Sequence, residues 1–457
     1  MEPVTVVILA AGLGTRMKSR KAKVLHGAGG LTLVENVINT AAQVTPEENI
    51  VVVVGHQADQ VRAALSHRRV QFVEQTEQKG TGHAVMMCAS ALRRSGLVAI
   101  LYGDTPLLPA STLKALIDKQ RDSGTAATLI TTRLDDPSGY GRVLLNERGF
   151  VHAIVEHKAA TPEQLAIPLI NSGMYCFRAD VLCRHIGEIR PDNPAKEYYL
   201  TDIVEILNRT GQTVAALEIA DASELLGINT RVELAAADRI LRRRKAVELM
   251  LSGVTIENPE TVAIDAQVTI GIDTVVHPFA RILGNTHIGE ECLVGAGAVI
   301  QDSNIGRRVE IGPYTLIAAS NIGDEARVGP FSRLRLDNEV GAGAHIGNFV
   351  ELKKTRMGAG AKANHLAYLG DSNIGDKTNI GAGTITCNYD GAHKHKTEIG
   401  RGVFVGSNAT LVAPIEIGDG SYVGAGSVIT DPVPADALAL GRGRQVIKEG
   451  WAARRKR

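Results

Sequence analysis

The sequence predicts two domains of different architecture, a doubly wound α/β domain followed by a parallel β-helix of hexapeptide repeats. Three observations carry this expectation. The chain has 457 residues, more than one hydrophobic core usually serves. Its 48 glycines divide unevenly, 18 in residues 1–250 and 30 in residues 251–457. Short apolar runs alternate with helical patterns in the first part, whereas aliphatic–Gly pairs recur at six-residue steps in the second.

In the first part, Val4–Leu9, Ile50–Val54 and Val98–Leu101 are continuous apolar runs, as in strands covered on both faces of a parallel sheet. Leu33–Ala42 and Ala58–Leu65 carry helical spacing between them. That order places a ligand beyond the carboxyl ends of the strands. The first strand runs into Leu9-Ala10-Ala11-Gly12-Leu13-Gly14-Thr15-Arg16-Met17, followed by Lys23-Val24-Leu25. Small residues after a strand let backbone N–H groups approach a polyphosphate, and Arg16 and Lys23 can neutralise its charge. The segment lacks the GK[ST] of a Walker loop and is not a dinucleotide GxGxxG turn.

Asn229 through Leu251 holds neither Gly nor Pro and reads as one long helix. Val232, Ala235, Ala236, Ile240, Val247 and Leu251 are its expected apolar stripe, and Arg242–Lys245 its solvated face. Ser252-Gly253 stops it. The expected divisions are therefore 1–228, the linker helix 229–252, the β-helix 253–440 and a basic tail 441–457.

In the second part the pairs begin at Ile288-Gly289, Ile305-Gly306, Ile322-Gly323 and Val340-Gly341, 17 or 18 residues apart, which is three hexads per coil. The aliphatic residue fills the prism interior and the small neighbour permits a tight corner. So narrow a prism has little room for rings, in keeping with 7 Phe, 1 Trp and 9 Tyr in the whole chain. The rhythm slips between Ile380 and Ile399, where about seven residues near Asn388–Lys394 must loop out, and loops that interrupt a solenoid are where function tends to reside.

Fifty Lys+Arg against 49 Asp+Glu leave no basic excess for nucleic acid or a membrane surface. The N-terminal apolar run is too short for a membrane span and lacks the basic start of a secretory signal, so a cytoplasmic protein is expected. Cys88, Cys176, Cys183, Cys292 and Cys387 form no CxxC pair, which argues against a disulfide framework or zinc site.

LAAGLGTRM followed by KVL resembles the sugar-nucleotide pyrophosphorylase family. Gln75 before Gly80-Thr81-Gly82-His83-Ala84, Tyr102-Gly103-Asp104-Thr105-Pro106-Leu107 and Gly139-Tyr140-Gly141-Arg142 extend the likeness, as do Val155-Glu156-His157-Lys158, Asn171-Ser172-Gly173 and Tyr198-Tyr199-Leu200-Thr201-Asp202. The resemblance implies a Rossmann-like nucleotidyltransferase domain. It makes Arg16 and Lys23 catalytic, and Asp104 and Asn229 ligands of Mg²⁺, with Mn²⁺ as the alternative metal. Asn229 taken alone reads equally as a helix N-cap. By the same resemblance Leu9, Ala10, Ala11, Gly12, Lys23, Tyr102 and Gly103 line the UDP-sugar site. Gln75, Gly80 and Thr81 face the uracil of UTP, and Gly141, Glu156 and Asn171 hold the sugar. Ala22 stands where the family often has Pro.

The segment GAGTITCNYDGAHKHKT resembles the acetyltransferase half of the bifunctional N-acetylglucosamine-1-phosphate uridyltransferase/glucosamine-1-phosphate acetyltransferase family. Its companions are Phe331–Arg335, Gly347–Lys354 and Asn364–Asp371. This likeness implies a left-handed coil, a homotrimer and acetyl-CoA as acyl donor. His365 is the candidate base, since imidazole titrates near working pH, and Glu351 a candidate to orient or acidify around it. Arg335, Lys353 and Lys394 suit the phosphate of glucosamine 1-phosphate, with Tyr368 and Asn379 at the sugar. Asn388 and Tyr389 fall where the sugar meets acetyl-CoA, and Ala382, Ser407, Ala425 and Arg442 on the acetyl-CoA side. Leu336 and His393 depart from the usual pattern. Two alternatives remain: a single-activity nucleotidyltransferase with a structural β-helix, disfavoured by His365 and the Asn388–Lys394 loop, and a non-enzymatic scaffold, disfavoured by Arg16, Lys23 and Asp104.

Overall fold

The computed structural model describes residues 2–92, 95–193 and 195–455; Lys456 and Arg457 of the basic tail lie outside them. The chain divides into two compact units, Met1–Leu241 and Arg242–Arg457.

The first unit is built on a sheet whose strands lie in the order Val214–Glu218, Ala127–Arg133, Leu169–Arg178, Leu97–Tyr102, Val4–Leu9, Ile50–Val54, Gln71–Glu74. Side chains alternate between two cores, Val7, Val51, Val53, Val98 and Ile100 in one and Val6, Ile8, Val52, Ala99 and Leu101 in the other. Both faces are thus covered, which is why these segments read as unbroken apolar runs. The three expected strands Val4–Leu9, Ile50–Val54 and Leu97–Tyr102 pair in parallel, but the sheet as a whole is mixed, since Leu169–Arg178 runs antiparallel to both neighbours. An apolar run buried on both faces carries no mark of its direction. That strand also pairs at Ile170 with Arg142 of the hairpin Arg142–Leu145/Val151–Val155, an arm beside the sheet.

The long helix spans Arg231–Leu251, but its buried positions differ from the expected stripe. Val232 and Leu251 are 81% and 85% exposed, and Ala235, Ala236 and Val247 are exposed too. In the first unit Leu234, Ala237, Ile240 and Leu241 pack on Ala28, Leu33, Leu107 and Ile228. In the second, Ala246, Leu249 and Met250 join the β-helix core. The two ends of the helix bury different faces, so no single stripe describes it. Arg242, expected in solvent, pairs with the buried Asp265 at 2.7 Å.

The second unit is a hexapeptide β-helix, a left-handed prism with short parallel strands on three faces. The aliphatic members of the pairs, such as Ile288, Ile305, Ile322, Val340 and Ile346, fill its axis and are buried. The glycine beside each has a reason that the sequence does not show. A Cβ on Gly289 would stand 2.5 Å from the carbonyl oxygen of Gly306 one coil on, so coil-to-coil approach excludes a side chain. The left-handed corner conformation falls instead on Glu291, Arg308 and Glu325. Tyr314, Phe331 and Phe349 stack outside the prism with ring centroids 5.3 and 5.6 Å apart.

Candidate functional site

In the first unit a cavity of about 530 Å³ opens at the carboxyl ends of Val4–Leu9 and Leu97–Tyr102. Leu9, Ala10, Ala11, Gly12, Lys23, Gln75, Gly80, Thr81, Tyr102, Asp104, Glu156 and Asn171 line it. Gly103 stands behind it, its N–H bonded to the Leu9 carbonyl at 2.9 Å, and the Gly141 carbonyl holds the Asn171 N–H at 2.9 Å. Arg16 is exposed on the turn Thr15–Met17, away from this lining.

The Lys23 ammonium donates to the Asp104 carboxylate and, at 3.1 Å, to the Asn229 side-chain oxygen. A bond from the Ile228 N–H to the Asp104 carbonyl, 2.9 Å, brings the two segments together. The helix cap falls to Thr230, whose hydroxyl accepts from the Glu233 N–H while Glu233 accepts from the Thr230 N–H. The Asn229 N–H also donates to the Glu233 carboxylate, while its side-chain oxygen accepts from Lys23. The two oxygens already share one cation, the ammonium, so the pair is chemically suited to a divalent ion that takes its other ligands from phosphates and water.

Elsewhere in the cavity, Gln75 donates to the Gly80 carbonyl at 3.0 Å and meets His83 Nδ1 at 3.1 Å. Burial raises the Glu156 carboxyl above its usual range. Asp202 is pushed up to about 6, by burial first and then by Glu205 and Glu156. Tyr102 and Tyr175 are raised by burial, so both phenols stay neutral donors. The Tyr175 hydroxyl donates to Asn171 at 3.2 Å, orienting that amide. Asp202 and Tyr175 received no role from the sequence; half-burial among carboxylates is invisible without the fold.

In the second unit His365 ends the strand Lys362–His365, in register with Asn348 on the preceding coil. Its Nδ1–H donates to the Asn348 side-chain oxygen at 2.7 Å, leaving Nε2 exposed. Asn348 is thus the orienting partner of His365. Glu351 is engaged elsewhere, in an ion pair with Arg335 at 2.7 Å. The nearly buried Lys353 pairs with Asp371 at 3.0 Å. Tyr368 and Asn388 converge over Gly370, where a Cβ would sit 2.5 Å from the tyrosine hydroxyl and 2.8 Å from the amide nitrogen. Asn379 lies between Lys362 and Phe404 on the adjoining face.

The residues near the expected slip form a small hairpin after the strand Ile385–Cys387, with Tyr389 bridged to Lys394. The Tyr389 hydroxyl donates to the Gly391 carbonyl at 2.6 Å. Ala382, Ser407, Ala425 and Arg442 form a vertical row over successive coils. The Asn408 N–H bonds to the Ala382 carbonyl at 2.7 Å, the Gly426 N–H to that of Ser407 at 2.8 Å, and the Arg442 guanidinium to that of Ala425 at 3.0 Å. Such a row can run along an extended ligand with phosphates at its Arg442 end.

Residues 6–170 match the MobA-like NTP transferase domain family, and residues 267–302 and 396–431 the bacterial transferase hexapeptide family. Curated relatives match over the full chain. A bifunctional protein GlmU of Solibacter usitatus is 61% identical, covering 100% of this chain and 98% of that protein. Those of Koribacter versatilis and Pelobacter propionicus are 49% and 47% identical, covering 99% and 100% of this chain and 97% and 100% of theirs.

Proposed function

The chain belongs to the bifunctional GlmU family, and from that premise we propose that its two sites make UDP-N-acetylglucosamine in two steps. The β-helix acetylates glucosamine 1-phosphate, and the α/β domain then transfers UMP from UTP to the product. The observation that supports this reading is the presence of two chemically distinct clusters, one in each unit. One has a nucleotide-sized cavity with the Lys23–Asp104–Asn229 cluster. The other has a histidine oriented through Nδ1 and, on the same β-helix, the Lys353–Asp371 pair.

In acetyl transfer the neutral amine of the sugar attacks the thioester carbonyl of acetyl-CoA. His365 Nε2 takes the amine proton, and the thiolate of coenzyme A leaves. The imidazolium so formed is stabilised through Nδ1–H by Asn348. Arg335, Lys353 and Lys394 hold the sugar phosphate, while Tyr368, Asn379 and Asn388 orient the ring. Tyr389 and the Ala382–Ser407–Ala425–Arg442 row hold acetyl-CoA.

In uridylyl transfer an oxygen of the sugar phosphate attacks the α-phosphorus of UTP, and pyrophosphate leaves. Gly12 and its neighbours approach the phosphates through backbone N–H groups, and Lys23 with Arg16 offsets their charge. Gln75, Gly80 and Thr81 take the uracil; Gly141, Glu156 and Asn171 take the sugar. Asp104 and Asn229 would hold Mg²⁺, which supplies charge screening between nucleotide and sugar phosphate.

Among the described residues no helix is long and apolar enough to cross a membrane, and with the nearly neutral chain this supports action in the cytoplasm on small molecules. The exposed column of Tyr314, Phe331, Phe349 and Leu366 supports a homotrimer of parallel prisms, since stacked exposed rings mark contact surfaces. The test is product formation with acetyl-CoA, glucosamine 1-phosphate, UTP and Mg²⁺, omitting each in turn. UDP-N-acetylglucosamine must require all four. Product from N-acetylglucosamine 1-phosphate and UTP, with no acetylation of glucosamine 1-phosphate, would leave a single-activity nucleotidyltransferase.

A further inference from the structure

Asp371, which no step above uses, joins three parts of the acetyl-transfer centre. It sits at a prism corner with φ of 48°. Its N–H bonds to the Lys353 carbonyl at 2.9 Å, and its own carbonyl accepts the Thr397 N–H at 3.2 Å. Its carboxylate accepts from the Lys353 ammonium at 3.0 Å and from the Asn388 amide. Asn388 opens the inserted hairpin and Thr397 follows it, so one residue pins both roots.

The hairpin is braced internally. The Asp390 carboxylate accepts from the N–H groups of Ala392 and His393 at 2.8 and 2.7 Å and meets His395 Nε2 at 2.7 Å. The Asn388 carbonyl takes the His395 N–H at 2.9 Å. The hairpin's orientation brings Lys394 against Lys353. The Lys394 amine and the Asp371 carboxylate hold Lys353 in the charged form, above the usual lysine range, and Lys353 in turn pushes Lys394 below it. Arg335 stands in register with Lys353 on the preceding coil.

We infer that Asp371 is a positioning residue of the acetyl-transfer centre, fixing Lys353 and the roots of the 388–396 hairpin so that Lys353 and Lys394 converge on the phosphate of glucosamine 1-phosphate. This rests on the acetyl-transfer reading and adds to it a residue that does not touch substrate.

The experiment is steady-state acetyl transfer by full-length Asp371→Asn and Asp371→Glu, with glucosamine 1-phosphate varied from about pH 6 to about pH 10. Uridylyl transfer in the same preparations controls for folding. Losing one charged hydrogen bond of the phosphate pocket should raise KM for glucosamine 1-phosphate about tenfold in Asp371→Asn. A carboxylate raises a lysine pKa, so its removal must move the alkaline limb of kcat/KM to lower pH, and Asp371→Glu must keep that limb in place. An unchanged KM and limb in Asp371→Asn overturns the inference, as does equal impairment of the two variants. If Asp371→Asn does not fold, amide exchange of the wild type decides: glucosamine 1-phosphate must slow exchange across 388–397, and no slowing overturns the proposal. A wild type that fails to acetylate glucosamine 1-phosphate refutes the functional reading instead.

Discussion

Replacing Asn348 by Ala removes the side chain that orients His365 through Nδ1, a contact of 2.7 Å. In the ground state that bond joins neutral partners, worth about 1 kcal/mol net, whereas in the transition state the imidazole carries charge and the bond is worth roughly 2 to 2.5. The difference of about 1 to 1.5 kcal/mol corresponds to a five- to tenfold loss of kcat. Binding of either substrate is untouched, so both KM values should stay near wild type. Release of the coenzyme A thiol, followed continuously with a chromogenic thiol reagent, measures it. Asn348→Asp should recover the rate and move the acid limb of kcat to higher pH, because a carboxylate favours the imidazolium. An Asn348→Ala variant whose acetyl-transfer kcat stays within about twofold of wild type would refute the reasoning.

If Asp104 and Asn229 are the metal ligands proposed above, Lys23 competes with the ion for their oxygens, so Lys23→Ala should bind Mn²⁺ severalfold more tightly in the absence of nucleotide, read by electron paramagnetic resonance, while uridylyl transfer falls. Unchanged Mn²⁺ affinity would mean that the ammonium is no competitor. Asp202, whose carboxyl is raised to about 6, loses stability on ionising in the fold. Asp202→Asn should therefore be more stable than wild type above about pH 6, by about 1 kcal/mol after discounting for its half-exposure. The gain should vanish below about pH 4, where the carboxyl is protonated in both states. Chemical denaturation across that range measures it, and a gain that persists at low pH would contradict the burial argument.

Much of the fold was legible because its periodicities are strong. The β-branched apolar runs at Val4–Leu9 and Ile50–Val54 read as strands covered twice, and the hexad pairs mark the prism interior residue by residue. What was not legible depends on contacts between segments. The direction of Leu169–Arg178 is set by its neighbours and not by its own composition. The buried face of Arg231–Leu251 changes along the helix because different cores take its two ends. Gly289 reads as a corner residue until the next coil is present to collide with its Cβ.

The sites divide in the same way. Lys23, Asp104 and His365 stand in dense motifs and were marked out by them. Asn348 and Asp371 were quoted within such motifs yet given no role. An amide or a corner carboxylate at a coil surface is ordinary until the next coil brings a histidine or lysine within hydrogen-bond reach. Arg16, a strong candidate in the sequence, is exposed on the turn Thr15–Met17 and does not line the cavity.

The central claim is that one chain carries two independent chemistries, and a reciprocal pair of variants tests it most directly. Assayed side by side for acetyl transfer and uridylyl transfer, His365→Ala should lose the first by about a hundredfold or more and keep the second, as removal of a general base requires. Asp104→Ala should do the reverse. If either variant, folded as judged by its thermal transition, loses both activities or neither, the account of two separate centres is wrong.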